Sequence, residues 1–283
     1  MGQNQSENIG VHREYDRLER VVLCKPEFMH IDEAINEIQA HYIEENIDKK
    51  VALKQHKDLV EKLEELGVEV SLLPTNGEFP EQVFTRDIGF TLGETLFIAK
   101  LQKEIRQGEE EILMRWLKKQ ELPYHNFEAG TIEGGDVLID GDTIFIGDSL
   151  RTGVKAITEL QKKLPNYNVE LIPFDGQYLH LDCVFNIVSK DEALIYPPAF
   201  DEQTVKAFAK RYKLIEVSKE EQFTLGTNVL VLGEGRIISL PRNKHVNQKL
   251  RDHGFTVIEV DISEIIKSGG AFRCITMPML RSN

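Results

Sequence analysis

The segment SGGAFRCITMPMLRSN (Ser268–Asn283) sets a cysteine, Cys274, between an arginine and a run of apolar, β-favouring residues, shortly behind a Gly-Gly pair. Glycines let another group approach the backbone closely, so a buried strand entered through them is expected here. Other residues able to do chemistry are scattered along the chain: Asp87 in FTRD, Glu133 and Asp136 in EGGD, His180 and Asp182 in HLD, and Asn228 in NVLVLG. A thiol is the side chain of nucleophilic catalysis, an imidazole moves protons near neutrality, and carboxylates hold cations. Each also has a plainer use. A lone cysteine is most often a small core residue, and an acid beside glycines most often serves a turn, the reading preferred for Asp136. His-x-Asp could be half of a metal site, but no further His or Cys cluster completes it, so no metal is expected. Read as a strand, HLDCVF puts His180 and Asp182 on one face and turns Cys183 to the other, into the core. Cys24 in RVVLCKP also reads as core.

Scattered residues meet only if a repeating architecture gathers them. Two short β-rich runs joined by a tight polar turn recur at 87–100, 136–149, 183–197 and 228–241, with Gly-Glu, Gly-Asp, Lys-Asp and Gly-Glu at the turns. After each hairpin apolar residues return at three and four, as in VKAITELQKKL and EQTVKAFAKRY, and a further strand-like piece follows. A fifth helix–strand half lies at 53–74. Its hairpin can be built from RVVLCKP (Arg20–Pro26) and the C-terminal FRCITMPML. The turn glycines Gly93, Gly141 and Gly233 stand 48 and 92 residues apart, which supports a repeat of a few dozen residues. Five strand-strand-helix-strand units closed in a ring would bring Asp87, Glu133, His180, Asn228 and Cys274, all at or just before the first strand of a unit, to a common axis. The stretch 29–50 has no hairpin and reads as a helical insertion on the rim that lengthens a loop. The whole chain, 1–283, is expected to form a single catalytic domain.

Composition excludes several classes of partner. The 283 residues carry 34 basic and 47 acidic side chains, a net charge of −13. Nucleic acid and anionic membranes need basic patches, so neither is expected, whereas a small cationic ligand suits an acidic surface. Three cysteines without C-x-x-C spacing argue against a disulfide framework or zinc ribbon and for a reducing cytoplasm. No apolar run reaches membrane-spanning length, and MGQNQSEN lacks the shape of a signal peptide. Gly2 and Ser6 fit the myristoylation pattern, although this polar start reads as a frayed terminus. A homodimer stays open.

The four segments FTRD, EGGD, HLD and GGAFRCITMP, in that order, resemble the signatures of the guanidino-group modifying enzymes: arginine deiminase, dimethylarginine dimethylaminohydrolase and the amidinotransferases. The likeness spans roughly Arg20 to the C-terminus. It implies the pentein fold, a five-bladed α/β propeller of ββαβ units around a pseudo-fivefold axis, with no cofactor. It also implies that Cys274 attacks a guanidinium carbon, loses an amine and leaves a covalent thiouronium that water hydrolyses. A cationic substrate beside the sulfur would favour the thiolate.

By the same resemblance His180 protonates the departing amine and then activates water. Asp87 and Asp182 would accept hydrogen bonds from the guanidinium nitrogens. Glu133 would orient His180 or hold the cation from the other side. Arg151 in GDSLRTG corresponds to the position that grips the amino-acid carboxylate, with Arg106 in KEIRQGEE as a second clamp and Asn228 lining the pocket. RCITMP and Asp182 look more like the deiminases and amidinotransferases, while the chain length is closer to the dimethylarginine hydrolases. The expected reaction is hydrolysis of arginine or an Nω-substituted arginine to citrulline and ammonia or an alkylamine. An amidinotransferase, passing the amidino group to an acceptor amine, is the alternative enzyme. A non-catalytic pentein of the ribosome-binding initiation-factor kind would have no need of the Cys, His and acid set.

Overall fold

A computed structural model describes residues 9–283; Gly2 and Ser6, and with them the lipidation pattern, lie outside these. The strands β1 (Arg17–Cys24) and β2 (Glu69–Leu73) run parallel. Four hairpin units follow: β3 (Gly89–Leu92), β4 (Thr95–Ile98) and β5 (His125–Asn126); β6 (Val137–Asp140), β7 (Thr143–Asp148) and β8 (Asn168–Pro173); β9 (Phe185–Ile187), β10 (Glu192–Ile195) and β11 (Lys213–Glu216); β12 (Leu230–Gly233), β13 (Arg236–Ser239) and β14 (Thr256–Glu259). In each, the hairpin is antiparallel and the third strand, reached through a helix, lies parallel to the second. The last strand, β15 (Met277–Ser282), pairs antiparallel with β1 and completes the fifth three-stranded sheet. The five strand-strand-helix-strand units are those expected from the repeat, and their arrangement is that of the α/β pentein propeller implied by the resemblance.

Burial grades outward from the axis. The first strands β3, β9 and β12 are buried at every residue, whereas β2, β8, β11 and β14 alternate buried or half-buried with exposed positions. Contacts between neighbouring units close the circle: β15 meets β3, β6 meets β9, and β12 meets β1. Outside the sheets lie the connecting helices Lys49–Glu65, Glu109–Lys119, Val154–Lys163, Glu202–Ala209 and Lys244–Asp252. Each buries one stripe, as Leu59 and Leu63 or Val246 and Leu250 do, and leaves its charged face to water. Aromatic stacking joins helix to sheet where the Phe185 and Phe208 rings lie 3.9 Å apart.

Two expectations fail locally. HLDCVF is not a strand at its start: Leu181–Cys183 make one turn of 3-10 helix, so the period of two does not apply and the predicted facing of Cys183 is lost. Cys274 likewise lies in a turn just ahead of β15 rather than within a strand.

The insertion also does more than lengthen a loop. It carries the helix Glu37–Tyr42, whose N-cap Asn36 accepts from the Gln39 amide (2.8 Å) and donates to the Ser268 carbonyl (3.1 Å). The Gln39 side chain bonds Glu81 (2.9 Å) and the Ser268 hydroxyl (2.8 Å). These contacts seat the segment on the Gly-Gly pair. A Cβ on Gly269 would fall 2.6 Å from Asn36, and one on Gly270 would fall 2.2 Å from the Phe84 ring. The close approach foreseen from the glycines is therefore made by the insertion and by the FTRD turn.

Candidate active site

Cys274, His180, Glu133, Asp87 and Asp182 converge near the axis, none of them more than 2 % exposed. Backbone contacts fix the turn that carries Cys274. The Arg86 amide donates to the Cys274 carbonyl (3.0 Å), and Thr85 Oγ1 reaches the carbonyls of Val22 (3.0 Å) and Ile275 (3.1 Å), tying FTRD to the chain that follows Cys274. From the other side Asn228 Oδ1 accepts from the amides of Arg273 (3.0 Å) and Cys274 (3.2 Å), while its Nδ2 donates to the Asp182 carbonyl (3.1 Å). All three polar contacts of the Asn228 side chain are with backbone behind the cysteine, which places it as a clamp rather than in the wall of a cavity.

His180 Nε2 lies 2.7 Å from Glu133 Oε2, and its Nδ1 lies 3.6 Å from Asp87 Oδ1. Room for the ring comes from Gly135, where a Cβ would stand 2.6 Å from Nδ1. Burial by itself would lower the imidazole's pKa. The Asp87 charge, the Glu133 hydrogen bond and Asp136 outweigh it and push it up to about 10. Burial raises Glu133, but His180 and Arg151 hold its carboxyl down at about 2. The pair is thus an imidazolium–carboxylate, and His180 rests as an acid.

Asp182 Oδ1 lies 3.9 Å from the Cys274 sulfur, and Oδ2 lies 3.3 Å from Arg273 Nε. Arg273 is itself held by both oxygens of the buried Glu14. Burial raises the Asp182 carboxyl above its ordinary range despite Arg273. Three buried atoms around the cysteine have no hydrogen-bond partner: Asp87 Oδ1, Asp182 Oδ2 and His180 Nδ1. Beside Cys274 lies a narrow recess of about 10 Å³ with Ile35, Asn36, Phe84, Asp87 and Leu179 in its wall. Ile35, Asn36 and Leu179 also border a larger outer cavity of about 260 Å³, which has Arg151, Gln102 and Tyr178 in its lining.

The two arginines differ. The Arg151 side chain bonds only through Nη1, at 3.4 to 3.5 Å from Glu133, and its other guanidinium nitrogens have no partner among the described residues. Arg106 is committed: Nη1 meets Asp87 Oδ2 at 2.6 Å, and Nε and Nη2 meet Glu109. Its geometry is that of an arginine fixing Asp87, not of a free clamp for a substrate carboxylate. Asp136 serves a turn, as its glycine neighbours suggest, and does so from the interior. It is fully buried, accepts from Thr152 Oγ1 (2.7 Å) and the Leu181 amide (3.0 Å), and so braces the turn that carries Asp182.

Two sets of donor atoms, Asp87–Glu133–His180 and Asp182–Cys183–Cys274, each lie within 4.8 Å of one another, close enough to share an ion. The first is already internally paired through His180 and Glu133. Sequence reasoning missed Glu14, Arg273 and Glu81, and read Cys183 only as core. Arg273 offered a signal, a charge inside an otherwise buried segment. Glu81, whose carboxyl burial lifts to about 7, offered none.

Residues 25–281 match the family described as eukaryotic N,N dimethylarginine dimethylhydrolase. The chain is 52 % identical to the uncharacterized protein YkgA of Bacillus subtilis over 95 % of its own length and 94 % of that protein. It is 31 % identical to an arginine deiminase of Bacillus cytotoxicus over 72 % of this chain, and spans 62 % of that enzyme. Among solved structures, the product-bound N-terminal domain of ArgZ, an arginine dihydrolase from cyanobacteria, superposes with a TM-score of 0.85 at 27 % identity, covering 94 % of this chain and 98 % of that one.

Proposed function

The chain belongs to the guanidino-modifying pentein superfamily, in the family of N,N-dimethylarginine dimethylhydrolases, and from that premise we propose that it hydrolyses a guanidinium carbon–nitrogen bond of arginine or an Nω-substituted arginine. The observation that carries this reading is the pair of buried carboxylate oxygens without a hydrogen bond, Asp87 Oδ1 and Asp182 Oδ2, on either side of the thiol. A buried polar atom without a hydrogen bond is costly. A planar cation rich in N–H donors satisfies both at once and presents its carbon to the sulfur.

Cys274 adds to that carbon as thiolate. His180, resting protonated, donates to the departing nitrogen, which leaves as ammonia or an alkylamine, and an S-linked thiouronium remains. Neutral His180 then takes a proton from water. The hydroxide adds to the thiouronium carbon, the C–S bond breaks as the hydroxyl proton passes to solvent, and citrulline and the thiolate are released. A bound cation offsets the Asp87 charge that raises the imidazole's pKa, so binding itself brings His180 toward the range where it can both give and take a proton. Glu133 holds the ring, Arg106 fixes Asp87, Asn228 fixes the backbone of Cys274, and Arg151 reaches the substrate carboxylate from the outer cavity.

The test is mass spectrometry of products from arginine, methylated arginines and agmatine, each with and without glycine. Citrulline from wild type and none from a folded Cys274→Ser variant is the expected result. Guanidinoacetate in the glycine arm would replace hydrolysis by transfer, and undiminished turnover by Cys274→Ser would remove the thiol from the mechanism.

A further inference from the structure

Cys183 lies in the core, as expected, and in the same core cluster it stands beside Cys274. Its Sγ lies 3.7 Å from Asp182 Oδ1, the same oxygen that lies 3.9 Å from Cys274 Sγ, and the two sulfurs are within 4.8 Å of each other. We propose that this pair is an oxidative modification site, at which a peroxide converts the two thiols to a Cys183–Cys274 disulfide and so reversibly withdraws the nucleophile.

The geometry asks for little movement. To reach a bond length of about 2.0 Å the sulfurs close by at most about 2.8 Å, and rotating one cysteine between staggered χ1 wells moves its sulfur by about 3 Å. Both sulfurs border recesses in the surface. Cys274 borders the inner one, and Cys183 borders an adjoining recess of about 40 Å³ lined also by Tyr178, Leu179 and Leu225. The roles divide by environment. The neighbouring Cys274 sulfur, burial and Asp182 all raise the Cys183 thiol, so it keeps its proton and is the resolving partner. The Cys274 thiolate attacks the peroxide O–O bond, forming a sulfenic acid and expelling hydroxide, which leaves as water after taking a proton. The Cys183 sulfur then displaces the sulfenic oxygen as a second water. Two thiols and one hydrogen peroxide give one disulfide and two waters. Cys24 sits in a different core cluster and takes no part.

The proposal needs Cys274 to be the nucleophile only for its effect on turnover; the bond itself is read by mass. Purified full-length protein is treated with hydrogen peroxide, alkylated and digested with trypsin. The expected product is one linked pair, residues 164–190 with 274–281, lighter by two hydrogens than its free peptides and separated again by dithiothreitol. Turnover returns with the thiols. In Cys183→Ala, and in Cys183→Ser as a second variant, no thiol traps the sulfenic acid, so excess peroxide carries Cys274 on to the sulfinic or sulfonic acid, two or three oxygens heavier, and dithiothreitol restores less than about a tenth of the lost turnover. Oxygen addition at Cys274 of wild type without the linked pair, or equal recovery in wild type and both variants, would overturn the proposal. A linked pair in a protein that turns over no guanidino compound would keep the modification site and remove the hydrolase reading.

Discussion

The His180–Glu133 pair holds opposite charges with almost no water around it, and its pH dependence follows from the direction of each shift. His180 has a pKa of 6.5 in a free chain and about 10 here, so its contribution is complete below 6.5 and is lost as pH rises through 10. Glu133 has 4.5 in a free chain and about 2 here, so its contribution is complete above 4.5 and is lost as pH falls through 2. Both are whole between 4.5 and 6.5. The gap in urea midpoint between wild type and Glu133→Gln should therefore be widest near pH 5.5 and narrow steadily toward pH 9.5; a gap independent of pH would mean that the pair is not charged. Arg151 and Asp87 can be separated by substrate. Agmatine lacks the carboxylate of arginine, so Arg151→Ala should lower kcat/KM for arginine about 30- to 1000-fold and for agmatine far less. Asp87→Asn should damage both alike, since an amide offers a donor where two acceptors are needed. Equal losses for the two substrates in Arg151→Ala would make that residue structural.

At the scale of elements, the helix Glu37–Tyr42 is only 6 residues long and leans on Asn36 for its start and for its seat on Ser268. Asn36→Ala removes the cap and the seat together, a loss of about 1 kcal/mol for the cap alone. Hydrogen exchange across 33–43 should speed up several-fold while the global unfolding midpoint hardly moves; unchanged exchange would show that Ile35 and its neighbours hold the segment by packing. The same elements show how far the sequence could be read. Hairpin turns and amphipathic helices repeat locally, so all five units and the pairing of the first strand with the last were legible. The facing of Cys183 was not, because one turn of 3-10 helix replaces two residues of strand and nothing in HLDCVF marks the change. Nor was the covering of the site by the insertion, because the contact that fixes it joins positions 232 residues apart. Arg106 was visible as a candidate, yet its commitment to Asp87 and Glu109 appears only once FTRD and the turn at 104–106 are neighbours.

For the whole molecule the critical seam is where the ring shuts. Arg281 in β15 is buried, and its Nη1 donates to the carbonyls of Asp16 (2.6 Å) and Val231 (2.9 Å), bridging the closing sheet to the unit before it. Across the same seam a Cβ on Gly233 would lie 2.4 Å from the Cα of Arg17. Arg281→Met leaves two buried carbonyls without donors, about 1–3 kcal/mol each. Urea denaturation should show a single transition shifted to lower concentration by that amount; a shift below about 0.5 kcal/mol would place the strength of the seam in strand pairing alone. The pairing of β1 with β15 also has a consequence in time. The strand at 17–24 leaves the ribosome early and must wait for residues 277–282 before its sheet is complete, so the longest contacts in the fold are made last. Each unit contributes a residue to the convergence around the axis, and Cys274 arrives with the closing strand. A nascent chain of this protein therefore holds its buried acids and His180 before the thiol joins them, and the cluster is complete only in the step that shuts the ring.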